Sequence, residues 1–542
     1  MRKESNRFVE ALSYVRESQE QILFKILSKN KNTEYGRKYS FSNIKSVVDY
    51  QKSIPLSGYD EYIPYIRKIG DGHRAVLTEE SVRLFEPSSG TASATKYIPY
   101  TSDLRQEFQR GIYPWLIDTY SANPNLLRGS SYWSITPPNI APLRTSGGIP
   151  IGFEEDSSYL GAAAEVLINQ IFAVPSEIKK VMSIDSFLYI TLLFLLKTKD
   201  LVLLSVWNPT FLMLLLEPIK MWQGVLLNDL AEGKIRPPGS VPRELCASLE
   251  RKLGRHPKRA NELDTLFQNF SETIYSAIWP KLSLISCWAD GNSAPYVYQI
   301  QKMFPSARIQ GKGLLATEGI VTIPYSLAGG NILAVRSHFY EFIDQDNQQI
   351  KTAWELEEGK CYSVALTTGG GFYRYKLLDL VRVSGLYKQC PVLSFIGKEE
   401  KISDYFGEKL HEHFVSEVLS RLLVRYELRP RFYMVAPEER NGTISYVLFV
   451  EPLDTSETSR WLKLVQELDG KLKENFHYAH CRNLGQLRRS TLFIISSKGA
   501  ETYLAECKKQ GQKLGNIKPS VLHAKKGWSD KFVGEYPQER ER

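Results

Sequence analysis

The sequence lacks the short signatures that assign a function at a glance. The phosphate-loop pattern GxxxxGK[ST] occurs nowhere in its 542 residues, which removes the commonest nucleotide-binding motif. No CxxC pair occurs. Six cysteines, at 246, 287, 361, 390, 481 and 507, fit neither zinc-site nor disulfide spacing. Reduced thiols in a cytoplasmic protein are the expectation. Histidines number only eight. The pairs His411/His413 and His477/His480 have no third ligand close by, so exposed helix positions are the simpler reading. No apolar run is long enough to span a bilayer. FLYITLLFLL, Phe187 to Leu196, has about half the length required. A buried helix, a turn at KTKD and a buried strand LVLLSV are expected there instead. The opening MRKESNRFVEAL carries no apolar core, so no signal peptide is expected. A block of one charge is also missing. The net charge of +9 is spread thinly, and nucleic acid is not an expected partner. The densest basic stretch, RKLGRHPKRA from Arg251, reads as a solvated helix end and loop. Internal repeats and low-complexity segments are absent too.

What is present is a large apolar fraction, 43%, with 12% aromatic residues, in a chain too long for one ordinary core. Two or three domains are expected. Helical spacing dominates to about residue 80. From about 81 to 395, β-rich runs alternate with helical ones. LVLLSVW (from Leu201) reads as a continuous apolar strand, and Asn208-Pro209 opens a helix with a cap residue and a first-turn proline. KLSLISCWADG (from Lys281) is another strand, followed by the helix SAPYVYQIQKMF. This alternation predicts α/β layers with buried strands. After Gly397 the pattern changes to a compact α+β unit. It contains a helix ending in VSEVLSRLL, a hairpin turned at Asn441-Gly442, an amphipathic helix WLKLVQELDGKLKENF and a strand STLFIIS. The expected domains are 1–397 and 398–542.

Five segments carry chemistry. EPSSGTASATKYIPYT, residues 86–101, has two readings. Hydroxyl and glycine clusters mark solvated turns. They also let backbone N–H groups converge on an anion, with hydroxyls and a lysine as further donors. GKGLLATEGIVTIP sets Thr317 and Glu318 between glycines. GGGFYRYKLLDLVRV gathers Tyr373, Arg374 and Asp379. FIGKEEKISDYFGEKL carries Gly397-Lys398, then Gly407-Glu408-Lys409. GQKLGNIKPSVLH presents Lys518 before a proline.

This order of motifs resembles the adenylate-forming enzymes. The wording SSGTxxxxKxIP, ATEG and FYRYxxxD, with NFHYAHCRNLGQL and QKLGNIKPSVLH near the end, is closer to the auxin-responsive Gretchen Hagen family of acyl-acid amido synthetases, in its bacterial-type form. The resemblance implies an α/β fold. A large N-terminal adenylate-forming domain of β-sheets layered with helices would be joined to a small mobile α+β C-terminal domain. It implies ATP and Mg²⁺ as cofactors, and a carboxylic acid and an amine, usually an amino acid, as partners. Ser88, Ser89, Gly90, Thr91 and Lys96 would cradle the β- and γ-phosphates. Thr317 would meet the α-phosphate, Glu318 would hold Mg²⁺, and Asp379 would accept from both ribose hydroxyls. Lys398 would be a further nucleotide contact. Lys518, with Glu318 and Lys96, would be catalytic, reaching the α-phosphate or the acyl oxygen in the first step and swinging away in the second. Arg374 reads as a strand-tying residue. Leu314 stands where the family often has an adenine-stacking tyrosine, leaving an apolar face without stacking. Trp288 fits both a pocket wall and a core aromatic. Three functions remain open at this point: acid–amine ligation, transfer of the same acyl group to a thiol such as coenzyme A, and nucleotide binding without catalysis.

Overall fold

A computed structural model describes residues 1–89, 95–134, 143–152, 171–290, 293–399, 402–440, 442–454, 458–509, 517 and 520–537. The chain forms two compact units. The first holds Met1–Ala289, Tyr296–Leu377 and Val381–Phe395. The second holds Asp290–Pro295, Leu378–Leu380 and Ile396–Arg542.

The first unit carries three larger sheets. β1 (Leu84–Ser89), β2 (Thr95–Tyr100), β4 (Leu143–Arg144) and β5 (Pro150–Ile151) make one, in the order β2-β1-β5-β4. A second is the sheet expected from the apolar strands. β3 (Ser130–Trp133), β6 (Leu201–Ser205), β7 (Leu284–Cys287) and β8 (Arg308–Gly311) lie in that order, every neighbouring pair parallel. All five residues of β6 are buried, as befits a strand covered on both faces. Asn208 caps the helix that follows, its Oδ1 accepting from Thr210 N at 3.0 Å. The Ile184–Lys197 helix is buried on all sides, which explains its uninterrupted apolar sequence. Among the described residues no single helix is long and apolar enough to cross a membrane.

Alternation of strand and helix stops sooner than expected. It holds from β3 to β8, but from Leu315 to Lys398 no α-helix occurs. The short hairpin of β9 (Leu315–Ala316) and β10 (Gly319–Ile320) comes first. Then β11 (Thr322–Tyr325), β12 (Gly330–Leu333), β13 (Phe339–Asp344), β14 (Ile350–Thr352), β15 (Cys361–Thr367), β16 (Tyr375–Tyr387) and β17 (Cys390–Lys398) form a seven-stranded sheet, ordered β11-β12-β17-β16-β15-β13-β14. Short turns such as Ser326–Gly329 and the Asp344–Gln349 loop connect neighbours directly, leaving no length for crossover helices. The N-terminal helices are tied to this sheet. Gln19, fully buried, donates to Val335 O and His338 O at 2.7 and 2.8 Å and accepts from Tyr340 N at 2.9 Å.

A second difference concerns the basic stretch at 251–260. Gly254 ends one helix, as a residue at φ 66 should, but Arg259 is not solvated. It is buried in the next helix and donates to Leu196 O at 3.0 Å and Ile278 O at 2.7 Å. Helix ends leave carbonyls without intrahelical partners, and a guanidinium supplies several donors to them.

The second unit is a four-stranded sheet, β20 (Pro430–Arg440), β21 (Thr443–Pro452), β22 (Leu487–Ile495) and β23 (Gly534–Glu535), preceded by the small pair β18 (Ile402–Ser403) and β19 (Leu410–His411). β20 and β21 form the expected hairpin. Gly442 sits at φ 70 in its turn, and Asn441 lies outside the described residues. The Glu412–Arg425 and Thr458–Leu472 helices bury their apolar stripes in the unit's core.

Arg374 ties strands, as its sequence suggested. It is buried, binds Glu341 through Nε (2.9 Å) and Nη2 (3.0 Å), and donates from Nη1 to Gln51 O and Ile54 O. Replacing Arg374 with Met strands the Glu341 carboxylate and is expected to cost about 3–5 kcal/mol in urea unfolding. The double variant Arg374→Met/Glu341→Leu should recover most of that loss. Equal losses in the two would show that the pair does not act as a unit.

Candidate active site

The segment 86–101 contributes to both arms of a hairpin. β1 and β2 are antiparallel, with Ser88 opposite Lys96 and Ser89 opposite Thr95. Gly90 and Thr91 lie outside the described residues, and so does the side chain of Ser89. Ser88 and Lys96 are half-buried neighbours on the two arms. Lys96 Nζ stands 5.6 Å from the ring centre of Tyr59. The Tyr59 hydroxyl accepts from Tyr97 N at 2.6 Å and donates to Tyr97 O at 3.2 Å, fixing the second arm to the body. Burial pushes the Tyr59 phenol up to about 12, and the charge of Glu318 adds to the shift. Tyr59 is therefore beside the hairpin's lysine and within electrostatic reach of the acidic residue of the next motif.

Thr317 and Glu318 are the two turn residues of the β9–β10 hairpin, closed by the pair Ala316 and Gly319. Thr317 is half-buried and Glu318 is only 7% exposed. Tyr375 donates its hydroxyl to Glu318 Oε1 at 3.3 Å. A buried relay steadies this turn. Ile320 N donates to His338 Nε2 at 3.1 Å, and His338 Nδ1 lies 2.8 Å from Glu107 Oε2. Glu107 also accepts from Gly369 N at 2.9 and 3.0 Å. Because Nε2 accepts a backbone N–H, the imidazole is neutral with its proton on Nδ1, facing the carboxylate. Gly319 is required here: a Cβ would stand 2.9 Å from His338 Nε2.

Asp379 and Lys398 belong to the second unit. Asp379 is buried, not a surface turn residue. Leu378 before it takes the left-handed conformation, φ 63, which bends β16 and re-aims the next side chain. Lys398 Nζ lies 2.8 Å from Asp379 Oδ1 as an ion pair, but out of line for a hydrogen bond. Among the described residues no aligned donor reaches that oxygen. A buried carboxylate oxygen in this state suits a ligand hydroxyl. Lys518 lies outside the described residues. The chain beyond it is anchored by buried Glu412, whose Oε1 accepts from Ser520 Oγ at 2.5 Å and Val521 N at 2.8 Å.

One expectation changes and one open reading narrows. Leu314 offers no open apolar face; it is packed into the core, its N–H bound to Thr322 Oγ1 at 2.8 Å. Trp288 is a core aromatic, edge-on to Phe395 at 5.1 Å. Within the first unit the fold sets Lys96 beside Tyr59, Ser88 opposite Lys96, and Glu318 beside Tyr375. In the second it pairs Asp379 with Lys398. Tyr59, Tyr375, Glu107 and His338 were not picked out from the sequence. Glu107 left a signal: a carboxylate on the buried stripe of the Ser102–Ala122 helix, beside Leu104, Phe108 and Gly111. Among the described residues no cluster of three or more His, Cys, Asp or Glu could hold a metal unaided. A lone buried carboxylate such as Glu318 fits a hard cation that takes its other ligands from water and substrate phosphates.

Models of the GH3 family match the chain in order: the N-terminal domain at residues 4–309, the central domain at 331–398 and the C-terminal domain at 414–526. An indole-3-acetic acid-amido synthetase of Arabidopsis thaliana is 21% identical over 85% of this chain and 82% of its own length. A jasmonoyl–L-amino acid synthetase of Nicotiana attenuata is 23% identical over 70% of this chain and 68% of its own. Among solved structures, the acyl acid amido synthetase AtGH3.15 in complex with 2,4-DB superposes with a TM-score of 0.83. It is 18% identical, covering 96% of this chain and 93% of that one, and it shows the shared fold.

Replacing His338 with Leu removes the acceptor of Ile320 N–H and the donor to Glu107. Hydrogen exchange of a peptide covering 315–321 should speed up about tenfold or more, with distant peptides unchanged. Unchanged exchange at Ile320 would show that the relay does not hold the turn.

Proposed function

Because the chain belongs to the GH3 family, we propose that it is an ATP-dependent acyl-acid amido synthetase, joining a carboxylic acid to an amino acid or another amine. The ordered match of all three family domains carries this reading. The relatives named as indole-3-acetic acid-amido and jasmonoyl–L-amino acid synthetases support an amino acid as acceptor.

The reaction has two steps. An oxygen of the acid attacks the α-phosphorus of ATP, the bond to the bridging oxygen breaks, and pyrophosphate leaves. The amine nitrogen then attacks the acyl carbon of the acyl-AMP, AMP departs and the nitrogen loses a proton. Negative charge gathers on phosphate in both, so positioning and electrostatics do the work. Lys96, with the hydroxyls and backbone of residues 88–91, binds the β- and γ-phosphates. Thr317 meets the α-phosphate. Glu318 would hold Mg²⁺, which would screen the charge of the phosphates. Tyr375, donating to Glu318 Oε1, fixes the carboxylate's direction. Asp379 accepts from the ribose hydroxyls, with Lys398 beside it as a second nucleotide contact. Lys518, on the 398–542 domain, approaches the α-phosphate in the first step.

The test is pyrophosphate release from ATP with a broad panel of carboxylic acids, each with and without mixed amino acids. Release should depend on the acid, and an amide product should form. Lys96→Ala should abolish release. Asp379→Asn should raise the KM for ATP about ten- to a hundredfold, the worth of one or two hydrogen bonds to a charged group. Acyl-CoA formation without amide would move the assignment to a thiol ligase. ATP binding without release from any acid would leave only a nucleotide-binding protein.

A further inference from the structure

The segment from Ser57 to Tyr62 carries none of the motifs, yet it grips two of them. Ser57 forms a short parallel bridge with Tyr375. Its N–H donates to Arg374 O at 3.1 Å, and its carbonyl accepts from Lys376 N at 2.9 Å. Two tyrosines then stand at the ends of one short helical turn, Asp60–Tyr62. Each uses its hydroxyl in the same way. The Tyr62 hydroxyl donates to Tyr373 O at 2.6 Å and accepts from Tyr373 N at 2.8 Å. The Tyr59 hydroxyl donates to Tyr97 O at 3.2 Å and accepts from Tyr97 N at 2.6 Å. A phenol both donates and accepts, so each can take both main-chain groups of one residue. Tyr373 belongs to the FYRY motif, and Tyr97 follows Lys96 in the hairpin. One turn of chain thus clasps the FYRY segment with one tyrosine and the phosphate hairpin with the other.

The two rings are used differently. Tyr62 is 1% exposed and packs against Tyr35, Phe372 and Tyr375. Tyr59 is half-buried, and the Lys96 ammonium stands 5.6 Å from its ring centre. Among the described residues no carboxylate pairs with that ammonium. A ring face attracts a cation without neutralising it and occupies none of its N–H donors with an oxygen. A carboxylate in the same place would do both. For a lysine that has to meet phosphate, the ring is the better neighbour. The Tyr59 phenol, pushed up to about 12 by burial, stays neutral and keeps its donor.

We propose that Tyr59 is a positioning residue for the phosphate lysine: its hydroxyl sets the place of the β2 arm, and its ring holds the Lys96 ammonium ready for the β- and γ-phosphates. The proposal rests on the ATP-binding reading above. Tyr59 touches no reacting atom. It acts through Lys96, so it bears on the two outer phosphates and not on the nucleoside.

Calorimetry on the full chain in the presence of Mg²⁺, with ATP and AMP as probes, tests this. The unsubstituted chain should bind ATP at least tenfold more tightly than AMP. Tyr59→Leu should lower that preference about tenfold. Tyr59→Phe, which keeps the ring and loses the clasp, should lower it about threefold. AMP affinity should stay within about twofold in both. In a chain that already carries Lys96→Met, Tyr59→Leu should change the preference less than twofold. The thermal midpoint of each variant checks its fold, and the phenylalanine variant preserves the packing. A loss of AMP affinity equal to the loss for ATP would make Tyr59 part of the general frame and overturn the proposal. So would an undiminished effect of Tyr59→Leu in the Lys96→Met chain, or a preference untouched by either replacement. A chain that binds ATP no more tightly than AMP has no phosphate hairpin, and the proposal falls with it. Failure of the amide-forming reading appears separately, as an ATP preference without pyrophosphate release.

Discussion

Glu107 is a negative charge held out of water in the middle of a helix, and the parts around it are placed to answer that charge. Gly369 brings its backbone N–H, and His338 brings a ring proton. Both come from segments more than two hundred residues further along the chain. His338 is then committed to one tautomer, which leaves Nε2 as an acceptor for Ile320 N–H. The helix, the glycine loop before the FYRY motif and the Thr317–Glu318 turn are thereby held by one carboxylate. An unanswered charge at this depth would cost several kcal/mol, which is why the three segments fix one another.

The same economy separates tasks within the first unit. Gly313, at φ 76, leaves room for no side chain: a Cβ would stand 2.6 Å from Thr322 O. It divides Lys312, whose ammonium donates to Ser205 Oγ in the parallel sheet at 2.8 Å, from the β9–β10 hairpin. One short segment thus serves two places, and only glycine allows the change of direction between them.

The sequence made some of this plain and concealed the rest for physical reasons. The apolar strands at Leu201 and Leu284 and the wholly buried helix at Ile184 were legible, because burial on every side writes an uninterrupted apolar pattern. Glu318 and Asp379 stood out by their neighbours in the motifs, and both are buried. Tyr59 and Tyr375 were not, since a tyrosine that steadies a carboxylate looks like the many tyrosines of the core. The pairing of Glu107 with His338 spans 231 positions, and no local pattern reports it. The helix-free stretch from Leu315 to Lys398 was read as continued alternation, because its strands vary in length and their turns lack a common signature. Arg259 was taken for a solvent charge, since capping carbonyls belong to other helices and leave no mark in its own segment.

Gln19 has a consequence for how such a chain is made. Among the described residues its amide is satisfied by Val335, His338 and Tyr340. The parallel sheet likewise draws its strands from positions as far apart as Ser130 and Gly311. A ribosome releases the N-terminal end first, so the early helices emerge long before the strands that complete their packing exist. Their apolar faces stay exposed for the time needed to add some three hundred residues, about fifteen seconds to a minute at ordinary elongation rates. Contacts this distant also close slowly. Those faces therefore need shielding during synthesis that the finished fold itself supplies.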